Sequence, residues 1–292
     1  MKCVACNSQA LEEVWTNLLR CKNCGTLQRP NLMEYYENIK GIYSENYFFE
    51  RYKKRYGRDL SNDLDDLRKV AVRRIEIIEN LYLRESTCYK CKNLTCSGCH
   101  VADFIKSQVK KKLLDVGCGS GIFLDTAKSR GFKVRGVDFN KYVLHLLPDS
   151  VRNDVVISNF FEYTTNEMFD VVTMFFVIEH LPNVEEVLKK VWGMLKRGGI
   201  LAISTPNGRG FTASLRPKKY YSIIPEDHLY EFSLDGMIKL LERNGYKVRR
   251  VVNTGFHPER VTDSKLFVPF IGFYQHLIGL GDTFEVYAAK SL

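Results

Sequence analysis

The chain has 292 residues, of which 45% are apolar and 26% are charged. This length accommodates one complete α/β domain and a small attachment, and the composition excludes a disordered or fibrous protein. The net charge is +9, and the first 112 residues carry +7 of it. Such an excess attracts nucleic acid, anionic lipid or an acidic metabolite, although a solvated surface that aids solubility is the interpretation that we favour.

The N-terminus and the apolar runs predict a cytoplasmic protein without a transmembrane segment. The opening residues lack the apolar core of a signal peptide. No run reaches the ~18–20 apolar residues that a spanning helix needs. In a reducing compartment, the nine cysteines of the chain favour metal binding over disulfide bonds.

Two closely spaced cysteine pairs open the chain. Cys3 and Cys6 form the first pair and Cys21 and Cys24 the second, with 14 residues between the pairs. Paired thiolates at this spacing give tetrahedral ligation of Zn²⁺, as in zinc ribbons. Residues 1–30 have little core of their own, so a metal ion would hold this predicted zinc ribbon folded.

Residues 31–112 are interpreted as a charged, tyrosine-rich connector, with a long helix over residues 59–83. A second group of four cysteines forms an insertion at 88–99: Cys88, Cys91, Cys96 and Cys99. Four thiols at this spacing predict a second metal site, with a single zinc ion as the first choice. An iron–sulfur cluster is the alternative, followed by free thiols or disulfides.

Residues 113–292 alternate short apolar runs with amphipathic stretches, which is typical of a parallel α/β sheet with both faces covered. The last two predicted strands alternate in polarity, and we expect them to form an antiparallel pair at one end of the sheet. The predicted strands are Lys112–Val116, Lys133–Asp138, Val155–Ser158, Phe169–Phe175, Ile200–Thr205, Tyr246–Thr254 and Thr283–Lys290. Helices are predicted at 121–130, 140–147, 184–195 and 233–244.

A glycine-rich loop follows the first strand of this domain. Glycines at 117, 119 and 121 let the backbone adopt positive φ and approach a ligand closely. The next helix presents unpaired N–H groups, so the loop predicts a nucleotide-type site at the carboxyl end of a strand. The third glycine comes one position too early for a dinucleotide fingerprint. Asp115 beside the loop suits a cationic ligand, such as S-adenosylmethionine.

Asp138 ends the second strand, 17 residues after Gly121. A carboxylate at this place accepts hydrogen bonds from both ribose hydroxyls of a nucleoside. The alternative is an N-cap that opens the helix predicted at 140–147. Because the glycine loop and the acidic residue occur together, we favour the ribose role.

These motifs, in their order and spacing, resemble the class I S-adenosylmethionine-dependent methyltransferase family over residues 113–292. The matching segments are Leu114–Gly121, Gly136–Asp138, Phe169–Val172, Val177–Leu181, Leu195–Gly199 and Ser204–Asn207. Within the family, the chain is most similar to small-molecule enzymes of the quinone-biosynthesis O-methyltransferase type, and some relatives carry a zinc ribbon. The resemblance implies a Rossmann-like, seven-stranded mixed α/β sheet whose last strand is antiparallel.

The resemblance also implies which residues contact S-adenosylmethionine. After the third strand, the family often has an acidic residue near the adenine amine, where this chain has Asn159. Asn159 can accept the same hydrogen bond and Phe160 can stack on the adenine ring, whereas Cys118 is a small residue beside the cofactor. The full predicted set is Asp115, Gly117, Cys118, Gly119, Gly121, Asp138, Phe139, Asn159, Phe160 and Phe175.

Two histidines are candidate general bases. Glu179 and His180 follow the fourth strand on the edge where ligands bind, and histidine titrates near neutral pH. The alternative for His180 is a positioning role in the loop before Pro182, because this Glu-His pair recurs in the resembling subgroup whatever the substrate. His228, in a loop before the helix predicted at 233–244, is the second candidate.

Two apolar segments bear on the acceptor. The family folds its N-terminal region over the cofactor, so the aromatic residues at 43–49 are expected to form a lid; ordinary helix packing is the alternative. Leu266–Tyr274 lies between the last two strands, and we expect it to be buried in the domain core. The alternatives are that it covers an apolar acceptor or lies against a membrane surface.

The predicted function is methyl transfer to oxygen, nitrogen or carbon of a small molecule, with an anionic or lipid-like acceptor as one option. The alternative is an RNA methyltransferase whose ribbon and basic connector bind phosphate. Against it, the basic excess lies outside the catalytic domain, and Ser204–Asn207 is unlike the motif of many base N-methyltransferases. A non-catalytic binding protein is a third option, which the intact glycine loop and Asp138 argue against. The sequence predicts neither the acceptor nor the oligomeric state.

Overall fold

A computed structural model describes residues 1–39, 63–85, 111–262, 264 and 266–291 of the chain. The predicted lid at 43–49 and the second cysteine group (Cys88, Cys91, Cys96 and Cys99) lie outside the described residues, and the three-part domain division stays a prediction. The chain forms two compact units. The first comprises Met1–Ile42, Met174–Gly193 and Leu201–Leu292, and the second comprises Tyr43–Thr173 and Met194–Ile200.

The described elements alternate strands and helices along most of the chain. The strands are β1 Leu11–Trp15, β2 Leu18–Cys21, β3 Leu27–Gln28, β4 Lys112–Val116, β5 Lys133–Asp138, β6 Val155–Ile157, β7 Phe169–Phe175, β8 Leu195–Pro206, β9 Tyr230–Glu231, β10 Tyr246–Thr254 and β11 Thr283–Lys290. The α-helices are α1 Leu32–Ile39, α2 Leu64–Glu85, α3 Ile122–Ser129, α4 Asp149–Arg152, α5 Val184–Met194, α6 Phe211–Leu215, α7 Pro217–Ser222, α8 Leu234–Arg243 and α9 Val268–Ile278. Short 3-10 helices cover Lys141–His145, Ile178–His180 and Pro258–Arg260.

Seven of these strands form one mixed sheet in the order β10-β11-β8-β7-β4-β5-β6. β5 and β7 run parallel to β4, and β6 runs parallel to β5. β10 and β11 are antiparallel at one edge, with Tyr246 opposite Lys290 and Thr254 opposite Thr283. The predicted Rossmann-like sheet with an antiparallel last strand is therefore confirmed.

Within the second unit, the central strand β4 is covered on both faces. Its successive residues Leu113 and Leu114 point to opposite faces, and both are fully buried. Such near-continuous apolar runs are what a parallel sheet with two covered faces requires. α2 packs against α3, and Arg130 at the end of α3 pairs with Glu79 of α2. These contacts fix the helix that begins directly after the glycine loop.

Within the first unit, the cysteine ribbon shares a sheet and a core with residues from much later in the chain. β1, β2 and β3 pair antiparallel, and β9 is the fourth strand, beside β3. Leu18 and Leu27 of the ribbon pack in one buried cluster with Ala213 of α6 and Tyr220 of α7. The ribbon is thus joined to the segment that carries His228.

The apolar segment between the last two strands is an exposed helix. Leu266, Phe267, Phe270 and Phe273 are each more than half exposed, so the expectation that Leu266–Tyr274 is buried in the core is wrong. The segment is apolar on every side of the helix, and only one side of α9 packs on its unit. The other side therefore remains in solvent.

Smaller differences concern the ends of elements. β8 begins at Leu195 rather than at Ile200, and the helix predicted at 140–147 is the short 3-10 helix at Lys141–His145. Among the described residues, no helix combines the length and the apolar character needed to cross a membrane.

Candidate functional site

The glycine loop, Gly117–Gly121, joins β4 to α3. Its glycines at 117, 119 and 121 have φ values of 71°, 52° and 72°, in a region that residues with a Cβ rarely adopt. A Cβ on Gly121 would stand 2.6 Å from Leu147, whereas one on Gly119 would enter open space. Cys118 between them is a buried thiol. Gly119 therefore leaves room for a ligand against the backbone, at the carboxyl end of a parallel strand.

Asp138 ends β5 and is hydrogen-bonded to this loop. Its Oδ2 accepts the N–H of Gly119 and its Oδ1 accepts the N–H of Asn140, both at 2.9 Å. The N-cap alternative for Asp138 is wrong, because the following 3-10 helix is capped by Asn140, which accepts the N–H of Tyr142. Burial raises the pKa of Asp138. The backbone N–H of Phe139 also acts on this carboxylate. A carboxylate has about four acceptor positions, so Asp138 retains acceptor capacity for the hydroxyl groups of a ligand.

Asp115 is a buried carboxylate in β4. Its Oδ1 accepts a hydrogen bond from the hydroxyl of Thr173 at 2.6 Å. Burial raises the pKa of Asp115 to about 7, although the hydrogen bond from Thr173 acts in the opposite direction. A positive charge beside such a group favours its ionised form. Asp115 is therefore suited to a cationic ligand.

The other predicted cofactor contacts differ in their accessibility. Phe139 is 53% exposed, whereas Phe160 is buried. The side-chain oxygen of Asn159 already accepts the N–H of Phe161 at 3.0 Å, which leaves its second lone pair for an adenine amine. Phe175, the last residue of β7, is half-buried. Of these aromatic residues, Phe139 offers a ligand the largest surface.

The two predicted bases, His180 and His228, lie together in the first unit. Their ring centroids are 4.7 Å apart and the ring planes are nearly perpendicular, at 88°. Nδ1 of His180 lies 2.9 Å from the carbonyl oxygen of Asp227. Because a carbonyl oxygen only accepts, this Nδ1 carries the proton and Nε2 has the lone pair. Nδ1 of His228 lies 2.6 Å from Oε1 of Glu231, which favours the same tautomer.

Glu231 links His228 to a third side chain. Its Oε2 accepts the hydroxyl of Tyr220 at 2.5 Å, so tyrosine, glutamate and histidine form a buried chain. Burial alone would lower the pKa of His228, but the carboxylates of Glu231, Glu179 and Asp227 outweigh it, and the pKa is raised. An imidazole whose Nδ1 is held by a buried carboxylate is arranged as a general base.

Glu179 is a fully buried carboxylate beside both histidines. Among the described residues, neither of its oxygens makes a hydrogen bond of good geometry, although the hydroxyl of Thr205 lies near enough to lower its pKa. Burial raises the pKa of Glu179 to about 7, against the opposing charge of His228. One ligating atom each from Glu179, His180 and His228 lies within 4.8 Å of the others. The three groups therefore form one cluster of titratable side chains.

The four N-terminal cysteines form a compact set of thiols. Sγ of Cys3 lies 3.6 Å from Sγ of Cys24, and Sγ of Cys6 lies 3.5 Å from Sγ of Cys21. Sulfurs held about 2.3 Å from a tetrahedral Zn²⁺ stand about 3.8 Å apart. None of the four cysteines is in a disulfide, and three are fully buried. The set therefore fits a zinc ion.

Three residues of these sites were not predicted from the sequence. Phe176, directly after β7, is 47% exposed and has a φ of 60°, a strained conformation for an aromatic residue that functional sites often retain. Glu231 lies three positions after His228, and an acidic residue in that apolar stretch was a signal for it. Tyr220 had no such signal, because it reaches Glu231 from another helix.

Known methyltransferases match much of the chain. The model of a family described as a methyltransferase domain matches residues 99–251. A ubiquinone biosynthesis O-methyltransferase from Vibrio atlanticus is 30% identical over 168 residues, which cover 53% of this chain and 70% of that protein. A ubiquinone biosynthesis O-methyltransferase from Photobacterium profundum is 28% identical over 178 residues, which cover 56% of this chain and 75% of that protein.

A solved structure extends the similarity of fold. The magnesium protoporphyrin IX methyltransferase from Synechocystis, with bound SAH, has a TM-score of 0.55 and 14% identity, and the alignment covers 87% of this chain and all of that one. The family match includes more than half of the chain, with β4, the glycine loop, Asp138 and β7 inside it. The chain belongs to the class I S-adenosylmethionine-dependent methyltransferase family.

Proposed function

We propose that the chain transfers the methyl group of S-adenosylmethionine to a small-molecule acceptor, with His228 as the general base. The observation that carries this proposal is the buried chain from Tyr220 through Glu231 to His228. S-adenosylmethionine supplies an electrophilic methyl group. The protein must align the acceptor and remove its proton where the acceptor is a hydroxyl or an amine. The relatives named above are O-methyltransferases, which supports an acceptor of this type.

The second unit is proposed to hold the cofactor. The ligand would lie against the backbone of the glycine loop, and Asp138 would accept hydrogen bonds from its ribose hydroxyls. Asp115 would face the cationic part of the molecule, and Phe139 would cover an apolar surface of it. Two observations support this placement of the cofactor. A Cβ on Gly119 would meet no atom within 4 Å, and Asp138 can accept further hydrogen bonds.

His180 is proposed to position His228 rather than to take the proton itself. Its ring meets that of His228 edge to face, and its Nδ1 is hydrogen-bonded to the backbone of Asp227, the residue before His228. This contact holds His180 against the loop of the base. Nδ1 of His180 also lies 3.3 Å from Oδ2 of Asp227. The buried chain from Tyr220 through Glu231 ends on His228.

We further propose that the acceptor has an apolar part. In the same unit as the histidines, α9 exposes Phe270, Phe273 and Leu277, and the ring of Tyr274 lies 6.4 Å from the buried ring of Phe211. Exposed aromatic surface of this extent marks a site for an apolar ligand or surface. The relatives in ubiquinone biosynthesis support the same chemical character.

The ribbon is proposed to bind one zinc ion through Cys3, Cys6, Cys21 and Cys24, and the group at 88–99 a second metal. Elemental analysis is expected to find one to two zinc atoms per chain, and the double change Cys21→Ser with Cys24→Ser is expected to remove one. Cys118→Ser is the matched control, because this buried thiol lies outside both groups, and it should leave the zinc content unchanged. Metal-free protein prepared without chelators would contradict the proposal. Visible absorption with bound iron would instead indicate an iron–sulfur cluster at the second group.

The competing hypothesis of an RNA methyltransferase makes a different prediction. Transfer of a labelled methyl group is expected to a small-molecule extract and not to total RNA. Binding to bulk tRNA is expected to be weak. An RNA enzyme would instead bind tRNA tightly, and its affinity would fall steeply with salt because counterions are released from the phosphates. Filter binding at two salt concentrations measures this. Label recovered in RNA, with tight and salt-sensitive binding, would reverse the assignment.

A further inference from the structure

The cysteine ribbon is joined to the loop of His228 through the backbone. β3 of the ribbon pairs antiparallel with β9, so that Leu27 lies opposite Glu231 and Gln28 lies opposite Tyr230. Glu231 is the carboxylate that holds Nδ1 of His228. The strand that carries this carboxylate therefore has a ribbon strand as its sheet neighbour.

Ser233, just after β9, continues this connection. Its hydroxyl donates to the carbonyl of Cys24 at 2.5 Å, and its N–H donates to the hydroxyl of Thr26 at 3.2 Å. The same hydroxyl accepts the N–H of Gly236 and so caps α8. One side chain thus ties a cysteine knuckle to the start of the helix that follows the His228 loop.

Arg29 holds the loop from its other end. It is buried, and its Nε and Nη2 point to the carbonyls of His228 and Pro225, at 3.3 and 3.5 Å. Its Nη1 donates to the carbonyl of Asn17 in the ribbon at 3.2 Å, and its backbone N–H donates to the carbonyl of Leu229 at 2.9 Å. The guanidinium therefore bridges the ribbon turn and the loop.

Two further contacts complete the hold on residues 225–229. The hydroxyl of Tyr35 donates to the carbonyl of Glu226 at 3.0 Å, and its ring lies 5.2 Å from the guanidinium of Arg29. The carbonyl of Asp227 faces His180, and the carbonyl of Pro225 also accepts the N–H of His228 at 3.1 Å. Every carbonyl of this five-residue loop thus faces a donor, and all but these two donors belong to Arg29 or Tyr35.

We propose that the zinc ribbon is a positioning element for the catalytic base, with Arg29 as the residue that transmits its fold to His228. Zinc binding would order the ribbon, because a segment as short as residues 1–30 has little core of its own. The ordered ribbon then fixes β9 and the loop at 225–229. This proposal rests on the proposed function only for the role of His228 as base; the coupling of ribbon and loop is independent of it.

The coupling is tested by hydrogen exchange on the full chain with and without a zinc chelator. Removing the metal is expected to speed exchange about tenfold or more at 225–236 as well as at 1–30, while peptides over 112–138 keep their protection. Fast exchange at 1–30 with unchanged protection at 225–236 would overturn the proposal. Because this measurement needs no methyl transfer, it stands even where the proposed function fails.

The positioning role of Arg29 is tested by substitution. Arg29→Ala is expected to lower kcat about tenfold or more, since small displacements of a base are costly, with the acceptor KM, cofactor affinity and zinc content unchanged. Arg29→Lys should restore part of kcat, because it keeps a buried donor. The matched control is Arg20→Ala, which removes an exposed ribbon arginine paired with Glu12 and should change nothing. An unchanged kcat in Arg29→Ala, or an equal loss in Arg20→Ala, would overturn the role.

Discussion

Replacing His228 by alanine is expected to slow methyl transfer by a factor of about 10²–10⁴, the usual contribution of a general base. The residue is buried and its Nδ1 is held by Glu231, so Nε2 is the nitrogen that can take a proton. The effect is measured as the single-turnover rate of methyl transfer at saturating cofactor. The acceptor in this assay is the small-molecule fraction to which labelled methyl is transferred. Binding of the cofactor, which we propose occurs on the second unit, should be unchanged.

Two variants separate chemistry from folding in this experiment. His228→Asn keeps a side-chain donor for Glu231 while removing Nε2, so it should fold and still be slow. His257→Ala is the matched control, because His257 also has a carboxylate partner, Glu259 at 3.0 Å, but stands at the surface. A rate for His228→Asn within about threefold of the wild type, well below the usual contribution of a base, would show that His228 is not the base.

The same site predicts how transfer depends on pH. The pKa of His228 is raised, mainly because the charge of Glu231 outweighs the effect of burial, and only the neutral imidazole accepts a proton. The rate should therefore rise with pH through a midpoint above the ordinary histidine value of about 6.5. Glu231→Gln should move this midpoint to lower pH, because the largest of the charges that oppose burial is then removed and only those of Glu179 and Asp227 remain. Burial raises the pKa of the neighbouring Glu179 to about 7. Glu179→Gln therefore shows how far the titration of Glu179 contributes to the observed midpoint.

Replacing Asp138 by alanine is expected to weaken binding of S-adenosylmethionine or its demethylated product by about 2–4 kcal/mol. The physical reason is the loss of two charge-assisted hydrogen bonds to the ribose hydroxyls. This corresponds to a loss of about 30- to 1,000-fold in affinity, which calorimetry measures directly. Equal affinity of variant and wild type would exclude Asp138 from the cofactor site.

Asp138→Ala also removes the hydrogen bond from the N–H of Gly119, so a second pair of variants tests the cofactor site with that contact intact. Gly119→Ala places a methyl group in the open space of the glycine loop and should weaken cofactor binding. Gly131→Ala has a similarly positive φ, and its Cβ also meets no atom within 4 Å. It carries the same kind of backbone strain outside the loop. A comparable loss of affinity in both variants would mean that strain, and not the ligand space, explains the result.

Local sequence was sufficient for most of the sheet and for the residues proposed to hold the cofactor. The predicted first and last residues are correct for five strands: β4, β5, β7, β10 and β11. The reason is that a continuous or alternating apolar run within a few residues already indicates a strand. The glycine loop was predictable for a similar reason, since few residue types other than glycine readily adopt positive φ. The four N-terminal cysteines were predictable because ligand spacing within a pair is a local property.

Tertiary structure alone decided the surroundings of the base and the state of the last apolar segment. β9 pairs with the ribbon, and Thr26 meets Ser233 across 207 positions of sequence; no local period encodes such a pairing. His228 was a candidate base from the sequence, but it is favoured over His180 only through Tyr220 and Glu231, which folding brings together from a helix and a strand. The exposure of α9 depends on how much neighbouring surface is available to cover an all-apolar helix. Composition determines that a side chain is apolar, but only the packing of the whole unit determines whether anything covers it.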